Sequence, residues 1–128
     1  MKNILIVDDD LGFVFWLCHV LDAAGYETVP ATSMPEALAA LAELDLWVDL
    51  LIIRRALPGA DAFAAELRSS QQGRLKAIAV IDENEAQNQS IAAWDGWQVK
   101  LKVPDAVARE MFLSLVQGAL TDGIAGAR

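Results

Sequence analysis

Short apolar runs and helix-length segments alternate along this chain from end to end, and that alternation leaves few folds open. Residues 3–7, 26–29, 50–53, 77–81 and 97–101 are too short for stable helices and are mostly apolar, as buried strands are. Segments at 11–24, 33–44, 61–70, 85–94 and 104–120 have helical length and pattern, the one at 85–94 being the most polar. The spacing predicts right-handed βαβ crossovers and a parallel sheet covered on both faces. Local signals agree. Gly25 stands where a helix C-cap belongs, and Ser33-Met-Pro-Glu36 is a capping-box pattern with Pro35 in the first turn. Leu57-Pro58-Gly59 reads as a turn. Residues 1–120 are expected to form one domain, and the small, polar stretch 121–128 a tail or the start of a linker.

In such a sheet, ligands sit beyond the carboxyl ends of the strands, where the strand order reverses. The residues expected there are charged. The first strand runs into Asp8 and Asp9 and the third ends at Arg54, so these three converge there. Asp49 lies at the opposite end of the third strand, roughly 13–17 Å away at strand rise. The whole chain carries a net charge of −8, which argues against nucleic-acid binding and against adsorption to an anionic membrane. Apolar runs such as 13–18 fall far short of a bilayer span, and Asp8 cuts the run 4–7 too short for a secretory signal. The single cysteine, Cys18, excludes an internal disulfide and fits a reducing cytoplasm; its apolar helical setting suggests inert packing. His19, the one histidine, reads as a helix-surface residue. There is no Cys/His cluster, no Ser-His-Asp set and no glycine-rich phosphate loop.

Taken in order, Ile4-Leu-Ile-Val-Asp-Asp-Asp10, Gly25-Tyr-Glu27, Glu36-Ala-Leu38, the third strand with Leu57-Pro58-Gly59, and Gly96-Trp-Gln-Val-Lys100 resemble the receiver domain of bacterial two-component response regulators. The resemblance covers nearly the whole chain. It implies an α/β fold of the flavodoxin-like (βα)5 type, a doubly wound parallel sheet in the order 2-1-3-4-5. In that family an acidic pair after the first strand and an acceptor aspartate after the third hold magnesium. A Thr or Ser ending the fourth strand bonds the phosphoryl group, and a lysine after the fifth pairs with it. Here Asp8 and Asp9 match the acidic pair, and Arg54 falls on the acceptor position, with Arg55 taking it under a one-residue slip. Asp82 falls on the Thr/Ser position, and Lys100 matches the lysine, with Lys102 as a rival. Trp97 stands at the aromatic position that changes rotamer on activation. The stretch from Asp82 to Lys100 is shorter than the family's by about one helical turn.

Guanidinium is always protonated and has no nucleophilic lone pair, so Arg54 cannot accept a phosphoryl group. It can instead occupy the cation's place, with its fork on Asp9 or Asp8, while Asp82 pairs with Lys100 or with Arg54. Each such pair has roughly 4 kcal/mol of Coulomb attraction at an effective dielectric near 20, before desolvation removes much of it. Magnesium is expected to bind weakly or not at all, since it demands near-octahedral oxygen ligation. Plainer roles stay open: Asp10 as a helix cap, Asp82 as the cap of the fourth helix, and Trp97 as packing on the fifth strand.

The expected function is that of a non-enzymatic signalling domain in the cytoplasm, acting by phosphorylation-independent protein–protein contact. Two competing expectations are a phosphorelay receiver with an unorthodox acceptor and a small-anion sensor using the old phosphate pocket. Contact with a protein partner or a second copy is expected through the fourth helix, fifth strand and fifth helix. The alternative surface is the first helix, where Phe13, Val14, Phe15, Trp16, Leu17, Val20 and Leu21 cover more than one apolar stripe and the exposure is expected among Phe15, Trp16 and Val20.

Overall fold

A computed structural model describes residues 2–44, 47–70, 75–82, 94–100 and 106–126. The described elements run β1 (Asn3–Val7), α1 (Leu11–Ala23), β2 (Glu27–Ala31), α2 (Met34–Leu44), β3 (Leu50–Arg54), α3 (Ala60–Ser70), β4 (Lys76–Ile81), β5 (Gly96–Val99) and α4 (Ala106–Gly126). The strands form one five-stranded parallel sheet in the order β2-β1-β3-β4-β5, the flavodoxin-like order expected. Nearly all of the helix expected at 85–94 lies outside the described residues, as does Lys102. The expected fifth helix is α4.

Alternation of side chains along each strand divides the core in two. On one face Ile4, Ile6, Leu50, Ile52, Ile78 and Val80 pack with Phe13, Val14, Leu17 and Leu21 of α1 and with Phe112 and Val116 of α4. On the other, Leu5, Val7, Leu51, Ile53 and Ala77 pack with Ala37 of α2 and with Phe63, Ala64 and Leu67 of α3. Both faces are covered, which is why β1, β3 and β4 read as unbroken apolar runs rather than alternating ones.

Local chemistry sets the element ends. The Asp10 side chain accepts from the Phe13 amide at 3.2 Å and caps α1. At the other end Gly25 has φ +98°, its N–H donates to the Asp22 carbonyl at 3.0 Å, and the Tyr26 N–H donates to the Leu21 carbonyl at 3.1 Å. This pair of bonds is a Schellman close, which favours glycine at the left-handed position. Ser33 Oγ accepts from the Glu36 amide at 3.2 Å, while the Glu36 carboxylate accepts from the Thr32 hydroxyl at 2.9 Å. Half of the expected capping box is thus present.

Several boundaries differ from the sequence reading by a residue or more, and three of the differences, at the ends of β2, β5 and α4, are larger. β2 runs through Pro30 to Ala31, two residues past the expected end. Proline lacks a ladder N–H, but β2 is an edge strand and loses nothing by it. β5 ends at Val99 rather than at residue 101. α4 continues to Gly126 instead of stopping at 120. Its buried stripe is Ala108, Phe112 and Val116, while the neighbouring apolar Val107 and Met111 are 63% and 44% exposed. Two adjacent apolar stripes share the helix, and only packing decides which turns inward.

The register brings the strand ends level. Val7 lies opposite Ile53, Arg54 opposite Val80, and Ile81 opposite Val99. The residues just past these positions are the charged ones singled out above.

Candidate functional site

Asp8 follows the last residue of β1 and is the one fully buried charged residue among those described, at 1% exposure. Lys100, just past β5, meets it with Nζ at 3.0 Å from Oδ1 and 3.1 Å from Oδ2. The Asp10 amide donates to Asp8 Oδ1 at 2.9 Å. Lys100 also lies 3.3 Å from Asp10 Oδ2 and 4.7 Å from the centre of the Phe13 ring, whose face it covers. A buried carboxylate is stable only when paired and hydrogen-bonded, and Asp8 has both kinds of partner. Even so, burial pushes its pKa above the usual carboxylate value, with the Asp10 amide and Lys100 opposing that shift.

Arg54 closes the other half of the site. Its Nη1 donates to Asp9 Oδ1 at 2.7 Å, and its Nη2 donates to Asp82 Oδ2 at 2.8 Å. One guanidinium therefore links the ends of β1, β3 and β4. Its bonds to Asp82 and then Asp9 hold the Arg54 pKa well above the ordinary arginine value. The Arg54 hydrogen bond, acting against partial desolvation, holds Asp9 below the ordinary carboxylate range. Asp10 is held low first by the Phe13 amide it caps. These pairs differ in exposure: the Lys100 side chain is 11% exposed, whereas Arg54, Asp82 and Asp9 are 26%, 34% and 51% exposed. Solvent and salt screen the Arg54 pairs more strongly than the Lys100 pair.

Each expected site residue among those described lies at this one end of the sheet except Trp97. That residue is at the start of β5, 43% exposed, and does not enter the charged cluster. Of the pairings left open for Asp82, the structure shows the one with Arg54; Lys100 turns to Asp8 and Asp10. Arg55, the rival under a one-residue slip, points elsewhere and meets Asp61 at 3.3 Å. Asp49 is at the far end, where its carboxylate accepts from the Asn3 amide at 2.8 Å. Two participants were missed from sequence. Asp10 was read as a cap alone, yet it also faces Lys100. Phe13 was counted only among the apolar residues of the first helix, yet it forms the floor under that ammonium. Phe13 lies one helical turn after Asp10, so the signal was its place in the first turn of α1.

Four carboxylates and two cations meet here, leaving an excess of two negative charges. Among the described residues no group of three or more His, Cys, Asp or Glu side chains is arranged to hold a metal ion.

The α1 aromatics divide. Phe13, Trp16 and Phe112 form a cluster, with centroids 6.0 Å apart for Phe13–Trp16, 5.7 Å for Phe13–Phe112 and 5.9 Å for Trp16–Phe112. Val20 is buried and Trp16 half-buried, so of the three residues considered for exposure only Phe15, at 58%, stands fully in solvent, next to Leu11 at 54%. Cys18 is buried, and burial pushes its thiol pKa up, as fits inert packing. His19 is exposed, as expected.

This sheet order is the flavodoxin-like fold that response regulator receiver domains also have. Neither a protein-family model nor a curated protein matches the sequence. Solved structures do. The chain is similar to a response regulator receiver domain protein from Clostridium thermocellum, with TM-score 0.77 and 17% identity over 98% of each chain. It is similar to the chemotaxis response regulator CheY4 of Vibrio cholerae, with TM-score 0.73 and 27% identity over 94% of this chain and 99% of that one. A third is the response regulator TrrA of Thermotoga maritima, solved in complex with Mg(2+)-BeF, with TM-score 0.66 and 29% identity over 90% of this chain and 99% of that one. No helix among the described residues is long and apolar enough to cross a membrane.

Proposed function

We propose that this chain is a degenerate receiver domain of a bacterial two-component or phosphorelay system. Arg54 holds the phosphoryl-acceptor position, and the domain acts by phosphorylation-independent contact with another protein rather than as an enzyme. The observation that carries this reading is the Arg54 fork, closed on Asp9 at 2.7 Å and on Asp82 at 2.8 Å. A guanidinium offers no nucleophile. Asp82 stands where a receiver places a hydroxyl donor, and a carboxylate there repels a phosphoryl group. The donor set does not suit magnesium either. Arg54 brings a positive charge instead of an oxygen ligand, Asp9 is committed to that charge, and both Asp8 oxygens face Lys100. An anion sensor is disfavoured by the same count, since both cations are neutralised by carboxylates.

The test is direct. After treatment with acetyl phosphate, intact mass is expected to show no added phosphoryl group. Titration with Mg²⁺ to the low-millimolar range is expected to leave the Asp8 and Asp9 carboxylate resonances in place. Phosphorylation of any aspartate would overturn the reading, and saturable magnesium binding would overturn its account of the metal.

Two surfaces are open to a partner. One is an open groove of about 760 Å³ between β5 and α4, lined by Gln98, Met111, Leu115 and the exposed Val107 among others. The other is Leu11 and Phe15 on α1. Large exposed side chains in clusters mark contact surfaces. If α1 mediates self-association, sedimentation will show a concentration-dependent dimer that Phe15→Glu abolishes. A wild-type monomer at high concentration would assign that surface to a different partner or to none.

A further inference from the structure

We propose that the Arg54 fork is a permanent tether, holding the end of β4 against the ends of β3 and β1 in one arrangement that salt, rather than phosphate or metal, loosens. The proposal rests on the phosphorylation-independent reading and adds how such a domain is kept in a single state. A planar guanidinium binding two acids through its two terminal nitrogens fixes direction as well as distance. Arg54 Nε is buried without a hydrogen-bond partner, so the side chain's polar contacts in the structure are the two ends of that fork.

Two backbone hydrogen bonds lie directly beside the tether. The Arg55 amide donates to the Val80 carbonyl at 2.9 Å, and the Lys100 amide donates to the Ile81 carbonyl at 2.8 Å. Both acceptors immediately precede Asp82 on β4. Freeing Asp82 from Arg54 therefore loosens the last carbonyls of β4, and the Arg55 and Lys100 amides report it. The participating side chains are partly exposed, and so within reach of screening ions.

Amide hydrogen exchange on the whole ¹⁵N-labelled chain tests this. In low salt, Asp82→Asn is expected to speed exchange at the Arg55 and Lys100 amides by about tenfold, with the interior amides of β1 unchanged, as local opening requires. Raising salt from about 20 mM to about 0.5 M shortens the Debye length several-fold. It is expected to produce the same acceleration in the wild-type chain and little further change in Asp82→Asn. Arg54→Lys keeps the charge but loses the fork, and is expected to behave like Asp82→Asn; wild-type exchange in Arg54→Lys would overturn the directional part. If Asp82→Asn fails to fold, the salt series on the wild-type chain decides alone. Exchange at both amides that ignores salt would overturn the tether. Phosphoryl incorporation into the wild-type chain would instead refute the phosphorylation-independent reading, and the two failures are read by different measurements.

Discussion

Arg54→Asp is expected to create a magnesium site without creating a working switch. In the present site the cation's place is taken by a guanidinium between Asp9 and Asp82. Replacing it with a carboxylate brings the introduced group together with Asp8, Asp9 and Asp82, and leaves Lys100 as the one cation of the cluster described here. Those carboxylates repel one another, so the variant should lose about 1–2 kcal/mol of stability after solvent screening. Magnesium binds the folded state preferentially and should restore most of that loss, raising Tm with concentration. Phosphorylation is a separate matter. Asp82 still sets a like charge against the incoming oxygens where a hydroxyl would donate a hydrogen bond. Arg54→Asp combined with Asp82→Thr is the smallest change expected to take a phosphoryl group from acetyl phosphate, read by intact mass. Equal phosphorylation of the single and double variants would refute the blocking role given to Asp82.

Lys100→Met is expected to be the most destabilising single change at the site, by about 3–5 kcal/mol, the usual cost of leaving a buried charge without its partner. Asp8 is buried at 1% exposure, and Lys100 contacts both its oxygens. The Asp10 amide alone would remain to the carboxylate from the contacts described above. The loss should depend on pH in a definite direction. Burial already raises the Asp8 pKa above 3.8, with Lys100 among the groups opposing that rise. Removing Lys100 raises it further. A raised carboxyl pKa means that the folded state binds the proton more tightly than the unfolded state. Stability therefore falls as pH climbs from the unfolded value through the folded one, and returns on acidification. Lys100→Met should melt higher at mildly acidic pH than at neutral pH, by more than the wild-type chain does. A flat difference between the two across that range would show that Asp8 is satisfied by other groups. Lys100→Arg, which keeps a charge on a longer stem, should fall between the two.

The fold was legible because its signals are local. Strand length, branched residues, the Asp10 cap, the Gly25 close and the Ser33 start lie within a few residues of each other in sequence. The strand order came from the family resemblance and is the observed one. Boundaries were less legible where neighbours decide. Pro30 reads as a strand breaker until β2 is known to be an edge, and the two apolar stripes of α4 are indistinguishable until Phe112 is seen between Phe13 and Trp16.

The site divides in the same way. Strand direction and length placed Asp8, Asp9 and Arg54 at the carboxyl edge of the sheet without knowledge of any contact, and the family resemblance added Asp82 and Lys100. Tertiary structure alone decided who pairs with whom. Arg54 could have turned to Asp8, and Asp82 to Lys100. The level register of β1, β3 and β4 puts Arg54 within reach of Asp9 and Asp82, while Phe13 and Asp10 steer Lys100 onto the buried Asp8. Pairing among like candidates is settled by differences of an ångström or two and by which carboxylate is buried, and neither quantity is carried by residue type or spacing.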